Sequence, residues 1–165
     1  MFNEIYLGIG TNKGDRLGNI QKLIKKLKKS GIIYLDAVSS LYESKPVGYK
    51  EQQNFYNMVI KGRTRLNSRS LLEYVKKIEY EMGRRWSKKN HPRIIDVDIL
   101  FYGDQVIDEN SLKIPHNKIY ERDFVLIPLV ELESDFHDPT NYRLLKDFIK
   151  NPDSLKKVRD KKELL

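Results

Sequence analysis

Two aspartates two residues apart, Asp96 and Asp98, interrupt an otherwise apolar run, His91-Pro-Arg-Ile-Ile-Asp-Val-Asp-Ile-Leu-Phe-Tyr-Gly103. The segment from Ile94 to Tyr102 is rich in β-branched and aromatic residues and is stopped by Gly103-Asp104, so it reads as a strand. Alternate side chains of a strand share a face, which places the two carboxylates side by side with Cα atoms ~6.6 Å apart. Paired, half-dehydrated carboxylates repel and call for a cation. Mg²⁺ suits them, because it prefers carboxylate, water and phosphate oxygens. The plainer outcomes are that one Asp faces solvent or that both pair with arginine, and Arg93, three residues upstream of Asp96, fits either reading.

Other residues extend the same chemistry. Arg84, Arg85, Lys88, Lys89, Arg93 and Arg122 gather near this strand in sequence order, and guanidinium forks match phosphate oxygens. Phe55 and Phe124 are core candidates, and equally a pair of rings that a flat heteroaromatic substrate would enter. Asn57 shares a strand face with Phe55 and offers a donor and an acceptor to a lactam-like edge. His116, after Pro115, could donate to a phosphate. His91 and His137 have no partners at metal-ligand spacing. Gly8-Ile-Gly10-Thr-Asn12 fails the dinucleotide pattern, since position 13 is Lys13, and no P-loop motif exists. With no cysteine and no Ser/His/Asp arrangement, no side-chain nucleophile stands out.

The elements that must position these residues follow from periodicity. Phe2 to Ile9 is a buried first strand. Leu17, Ile20, Leu23, Ile24 and Leu27 mark an amphipathic helix closed near Gly31. Ile32 to Tyr42 is a second strand and Phe55 to Arg63 a third, separated by a long loop from Glu43 to Gln53. Asn67 or Ser70 caps a second helix that ends at Gly83. A basic loop, Arg84 to Asn90, leads into the aspartate strand. A short strand at Gln105 to Ile107, a helix from Ile119 to Leu132 kinked at Pro128, and a last helix from Tyr142 to Ile149 complete the reading. The order β-α-β-β-α-β is the ferredoxin-like pattern, an α+β fold with an antiparallel sheet, two helices on one face and the other face free for ligands.

The 165 residues suit a single domain, with 156–165 a charged C-terminal tail, either frayed or a solvated helix. Lys+Arg 31 against Asp+Glu 23 leaves a net charge of +8, which favours anionic partners, although much of it sits on one helix face and in the tail. No apolar run is long enough to span a bilayer and no signal peptide is visible, so a cytoplasmic location is expected.

Taken together, Gly-x-Gly-Thr-Asn12, Ser44-x-Pro46-x-Gly48, Phe55-x-Asn57, Glu79-x-x-x-Gly83-Arg84, Pro92-Arg93-x-x-Asp96-x-Asp98-Ile99, Pro115-His116 and Arg122-x-Phe124-x-Leu126-x-Pro128-Leu129 resemble the 6-hydroxymethyl-7,8-dihydropterin pyrophosphokinase family from Tyr6 to about Leu132. The resemblance implies transfer of pyrophosphate from ATP to the pterin hydroxymethyl group, with release of AMP. It implies that Asp96 and Asp98 hold two Mg²⁺ ions, one across the α- and β-phosphates and one across the β- and γ-phosphates. Phe55 and Phe124 resemble the residues that sandwich the pterin, Asn57 the one that binds its edge, and the backbone near Ser44 and Val47 would complete that pocket. Arg84, Arg93, His116 and Arg122 resemble polyphosphate and nucleotide contacts, Glu79 an acid lining the nucleotide site, and Ile99 a backbone contact to adenine. The family often has Trp-Gly where this chain has Asn90-His91, with Trp86 a candidate replacement for that indole. Lys113 and Asn117 stand where many relatives carry Thr and Tyr. A monomer with no nucleic-acid or membrane partner is expected. An RNA-recognition module or a metal-dependent nuclease would share the sheet and charge. The first lacks its aromatic signature motif, and the second lacks further acids beside the pair.

Overall fold

The computed structural model describes residues 1–165. Strand β1 (Asn3–Thr11) is followed by helix α1 (Arg16–Ser30), β2 (Ile33–Val38), β3 (Leu41–Ser44), β4 (Phe55–Thr64), α2 (Ser68–Glu81) and β5 (Asp96–Tyr102). A two-stranded ribbon, β6 (Ile107–Asp108) with β7 (Lys113–Ile114), precedes α3 (Asp123–Leu132), and β8 (Lys156–Arg159) closes the chain. The main sheet runs β5-β1-β4-β3-β8, all antiparallel, with β2 and β3 laid end to end along the far side of β4. This is the ferredoxin-like arrangement with an added edge strand.

Sequence pattern explains the layers. Ile5, Leu7 and Ile9 of β1 face one side, where they pack with Ile20, Leu23, Ile24 and Leu27 of α1 and Leu71, Val75 and Ile78 of α2. Each such side chain, fully buried, contributes about 1.5–3 kcal/mol. Asp15 caps α1 by accepting from Gly18 N–H, and Gly31, in the left-handed region at φ 66°, ends it. Asn67 rather than Ser70 caps α2: its Oδ1 accepts from Ser70 N–H at 2.9 Å.

Several expectations are corrected. The second strand is split at Ser39-Ser40, where Ser39 Oγ accepts from Val59 N–H and Ser40 N–H donates to Glu131. These side-chain bonds replace part of the ladder, so β2 and β3 meet β4 separately. The far face of the sheet is not free. Tyr6, Val59, Leu100 and Phe101 form a second core there with Val125, Leu126 and Leu129 of α3, and a bulge in β5 turns both Leu100 and Phe101 that way. The helix expected from Ile119 is a 3₁₀ turn, Ile119–Glu121, broken at Arg122 before α3. Pro128 sits inside α3 without ending it. The expected last helix is only a 3₁₀ turn, Leu145–Phe148, while Tyr142 adopts φ 59° and is exposed. The short strand after Gly103 is displaced to Ile107–Asp108 by its pairing with Lys113–Ile114. The charged tail is not frayed: β8 pairs with β3, Val158 packs on the core and Leu164 is buried. No helix is long and apolar enough to cross a membrane.

Candidate active site

The register of three strands assembles the site. Gly10 lies between Asn57 on β4 and Asp96 on β5, and Gly8 faces Asp98. The two glycines leave the sheet surface bare at this end. A Cβ on Gly10 would stand 3.6 Å from both Asn57 Oδ1 and Phe55 Cδ1, in space that the cavity uses. That cavity, of about 340 Å³, is floored by Gly8, Gly10, Asp96 and Asp98. It is walled by Ser44, Val47, Phe55 and Asn57 on one side and by Arg122, Phe124 and Val125 at the start of α3 on the other.

Asp96 and Asp98 therefore share a face, as the alternation of β5 requires. Their surroundings differ. Arg84 Nη1 lies 2.5 Å from Asp96 Oδ1, and Arg93 Nη1 lies 3.0 Å from Asp96 Oδ2. Burial alone would raise the Asp96 pKa, but these two guanidinium groups outweigh it and hold the carboxyl below the usual range. Asp98 has looser company, Arg122 Nη1 at 3.7 Å and His116 Nε2 at 3.8 Å. Burial, and then the neighbouring Asp96 charge, push it up to about 6.

His116 is pushed down to about 4, first by burial and then by Arg122, so at neutral pH it is uncharged. Its Nδ1 accepts from Lys118 N–H at 3.2 Å, which leaves the ring proton on Nε2, the nitrogen that faces Asp98. On the aromatic side of the cavity, Asn57 is 4% exposed and donates from Nδ2 to Ser44 Oγ at 2.7 Å. Its Oδ1 looks toward Gly10. The Ser44 hydroxyl thus orients the amide. Val47 is exposed on the loop above.

Glu79 does not line the main cavity. It is 3% exposed, accepts from Val97 N–H at 2.7 Å and receives Arg84 Nη1 at 2.8 Å. Burial raises its pKa against the pull of Lys76, Val97 N–H and Arg84. It belongs instead to a second groove of about 360 Å³ that also holds Lys76, Arg84, Arg85 and Trp86 and shares Arg93 with the main cavity. Trp86, 89% exposed, lines that groove, whereas Asn90 lines the main cavity. The Ile99 side chain points into the helix-side core. Its peptide, two residues beyond Val97, lies along the same outer edge of β5 that Glu79 and His116 meet.

Lys89, grouped with the cations in the sequence, and Asn90 also line the cavity, as do Lys45, Lys118 and Glu121, which were not singled out. Lys45 and Lys118 lie in segments without periodicity and Glu121 ends the 3₁₀ turn, so only the folded chain shows where each points.

The donor set suits Mg²⁺: two carboxylates on one ledge, hard oxygen ligands only, with the nearest cationic nitrogens 3.7 and 3.8 Å from the Asp98 carboxylate. Asp96 already serves two arginines and has further lone pairs to share. Arg93 Nε is buried with no acceptor, a donor suited to an anionic oxygen.

What such a cavity can do chemically is hold a polyphosphate against a flat ring, the work of a group-transferring enzyme. Comparison with known proteins agrees. Residues 6–134 match the family described as 7,8-dihydro-6-hydroxymethylpterin-pyrophosphokinase (HPPK). The chain is 43% identical over 144 residues to the 2-amino-4-hydroxy-6-hydroxymethyldihydropteridine pyrophosphokinase of Aquifex aeolicus, covering 87% of this chain and 89% of that one. It is 42% identical over 138 residues to the folic acid synthesis protein FOL1 of Dictyostelium discoideum, covering 84% of this chain but only 21% of that longer protein. The fold is similar to HPPK-DHPS of Plasmodium falciparum, with a TM-score of 0.75 at 17% identity, over 95% of this chain and 49% of that one. The chain belongs to the HPPK family, whose members transfer pyrophosphate from ATP to 6-hydroxymethyl-7,8-dihydropterin in folate synthesis.

Proposed function

We propose that this chain catalyses that transfer with Asp96, Asp98, Arg84 and Arg93 as its catalytic residues and two Mg²⁺ ions held by the aspartates. The observation that carries the reading is that both aspartates open into the same cavity as Phe55, Asn57 and Phe124. The pterin enters between the two Phe rings, with its amide edge on Asn57 and on the backbone near Ser44 and Val47. This puts the hydroxymethyl group over the Asp96–Asp98 ledge. The hydroxymethyl oxygen attacks Pβ of ATP, the bond between Pβ and the α–β bridging oxygen breaks, and its electrons leave on AMP. The hydroxyl proton is lost to solvent or to a carboxylate.

Bound Mg²⁺ supplies positive charge against the phosphate oxygens. The chain's own part is positioning and electrostatics, which dominates phosphoryl-type transfer. Arg84 and Arg93 exchange some of their contact with Asp96 for phosphate oxygens. Arg122 and the Nε2–H of neutral His116 donate to the same tail. The second groove, with Glu79 at its base and the Ile99 peptide along the edge of β5, receives the nucleoside. The protein acts as a monomer in the cytoplasm, with no nucleic-acid or membrane partner.

The test is AMP formation measured with and without 6-hydroxymethyl-7,8-dihydropterin and Mg²⁺. AMP appearing only when both are present is the expected result. ADP as the product, or AMP formed at the same rate without the pterin, contradicts it.

A further inference from the structure

Asp138 lies beyond residues 6–134, the stretch that matches the family, and it takes no part in the mechanism above. It is nevertheless 0% exposed, deeper than Glu79. Its Oδ2 accepts from Tyr120 OH and its Oδ1 from Thr140 N–H at 2.6 Å. Its own N–H donates to Arg143 O at 2.9 Å, and its carbonyl accepts from Tyr142 N–H at 2.8 Å. Tyr142 closes this tight loop at φ 59°, a conformation that residues with side chains adopt rarely. Burying a carboxylate is a poor source of stability, and its better use is to fix one arrangement.

The arrangement fixed here is that of the 3₁₀ turn Ile119–Glu121. Tyr120 is its middle residue, Arg122 follows it, and Phe124 comes two residues later. Arg122 Nη1 reaches to 3.7 Å from Asp98, and Phe124 walls the cavity. No side chain caps the N-terminus of the turn or of α3, so local hydrogen bonds leave this junction loosely defined. The bracing comes from later in the chain. Besides the bond to Asp138, the Tyr120 ring packs on Phe148 with centroids 4.8 Å apart. Asp123, between Arg122 and Phe124, accepts from Lys150 N–H at 3.1 Å and from Asn151 N–H at 2.8 Å.

We propose that Asp138 and Tyr120 are positioning residues for Arg122 and Phe124, which makes the segment 136–151 part of the site. The inference rests on the functional reading above. Tyr120→Phe keeps the ring on Phe148 and removes only the hydroxyl. Asp138→Ala takes the acceptor from both Tyr120 and Thr140. One hydrogen bond lost at the hinge leaves the turn in place in about a tenth of the molecules, and apparent affinity scales with that fraction. Saturating substrate selects the aligned turn again, so kcat is spared.

The experiment measures kcat, both KM values and melting temperature for wild type, Tyr120→Phe, Asp138→Ala and the double variant. Calorimetry gives the affinities for 6-hydroxymethyl-7,8-dihydropterin and for a non-hydrolysable ATP analogue with Mg²⁺. Each single variant is expected to raise both KM values about tenfold, with kcat within about twofold of wild type. The double variant is expected to be no worse than Asp138→Ala, as for two ends of one bond. Leu164→Ala, a destabilising change in the tail, leaves both KM values as they are. Lower melting temperatures with wild-type KM values would reduce the pair to a structural role and overturn the proposal. Additive losses in the double variant, or KM values that rise equally in Leu164→Ala, would overturn it too. If Asp138→Ala does not fold, Tyr120→Phe decides alone. A wild type that forms no AMP refutes the functional reading instead, and the calorimetric affinities still decide the role of the pair.

Discussion

Asp96 and Asp98 are identical in chemistry and opposite in environment, and the difference sets what each can do. Asp96 is held ionised by Arg84 and Arg93. Asp98 is pushed up to about 6 by burial and by Asp96, against about 4 for an ordinary aspartate. Between those two values the folded chain keeps a proton that the unfolded chain has released, so stability falls as pH rises from about 4 to about 6. In EDTA, Asp98→Asn should therefore be more stable than the parent at pH 7 by on the order of 1–3 kcal/mol, with the gain gone near pH 4. Adding Mg²⁺ should then raise the melting temperature of the parent and leave the variant where it was, because only the parent retains both carboxylates. Thermal melts across pH check both statements. A gain that persists at pH 4, or equal Mg²⁺ stabilisation of both proteins, contradicts the role given to Asp98. The paired aspartates were legible in the sequence because strand alternation leaves no freedom about which way they point relative to each other. That Arg84 and Arg93 both turn to Asp96 and leave Asp98 looser was not legible, since it depends on where two irregular loops return to the sheet.

At the scale of elements, period decided what the sequence could show. α1, α2 and the three long strands carry runs of apolar residues at helical or alternating spacing, and each formed close to where the pattern put it. β8 escaped because Lys156-Lys157-Val158-Arg159 has a single apolar residue, and its strand character comes from the unpaired edge of β3. Its Lys157 reaches Glu131 at 3.8 Å, and that carboxylate also receives Tyr42 OH and Ser40 N–H, so the segment fastens β3 to α3. Leu164, 8% exposed, anchors the end. Leu164→Ala should cost about 2 kcal/mol, at the low end for a Leu→Ala change because one side of the site is open, and should leave pterin affinity intact because it lies away from the cavity. Urea denaturation paired with a pterin titration measures both. A stability change below a few tenths of a kcal/mol would mean that the tail is the solvated appendage its composition suggests.

For the molecule as a whole, the sheet works as a platform with a closed and an open end. α1 and α2 seal one face along its length, while α3 seals only part of the other, so the cavity lies where β1 and β5 run out past the start of α3. The ferredoxin-like order was legible, but the coverage of the second face was not. α3 is apolar nearly all round, which marks a buried helix without saying which surface it meets. The net charge of +8 favours an anionic ligand, and around the cavity Arg84, Arg93, Arg122, Lys45, Lys89 and Lys118 give it local expression.

The most direct measurement is a crystal structure of the chain with Mg²⁺, a non-hydrolysable ATP analogue and 6-hydroxymethyl-7,8-dihydropterin. The account predicts metal ions about 2.0–2.1 Å from oxygens of both Asp96 and Asp98, with the pterin ring between Phe55 and Phe124. Metal bound elsewhere, with Asp96 still closed by Arg84 and Arg93 and the ring outside that slot, would contradict it.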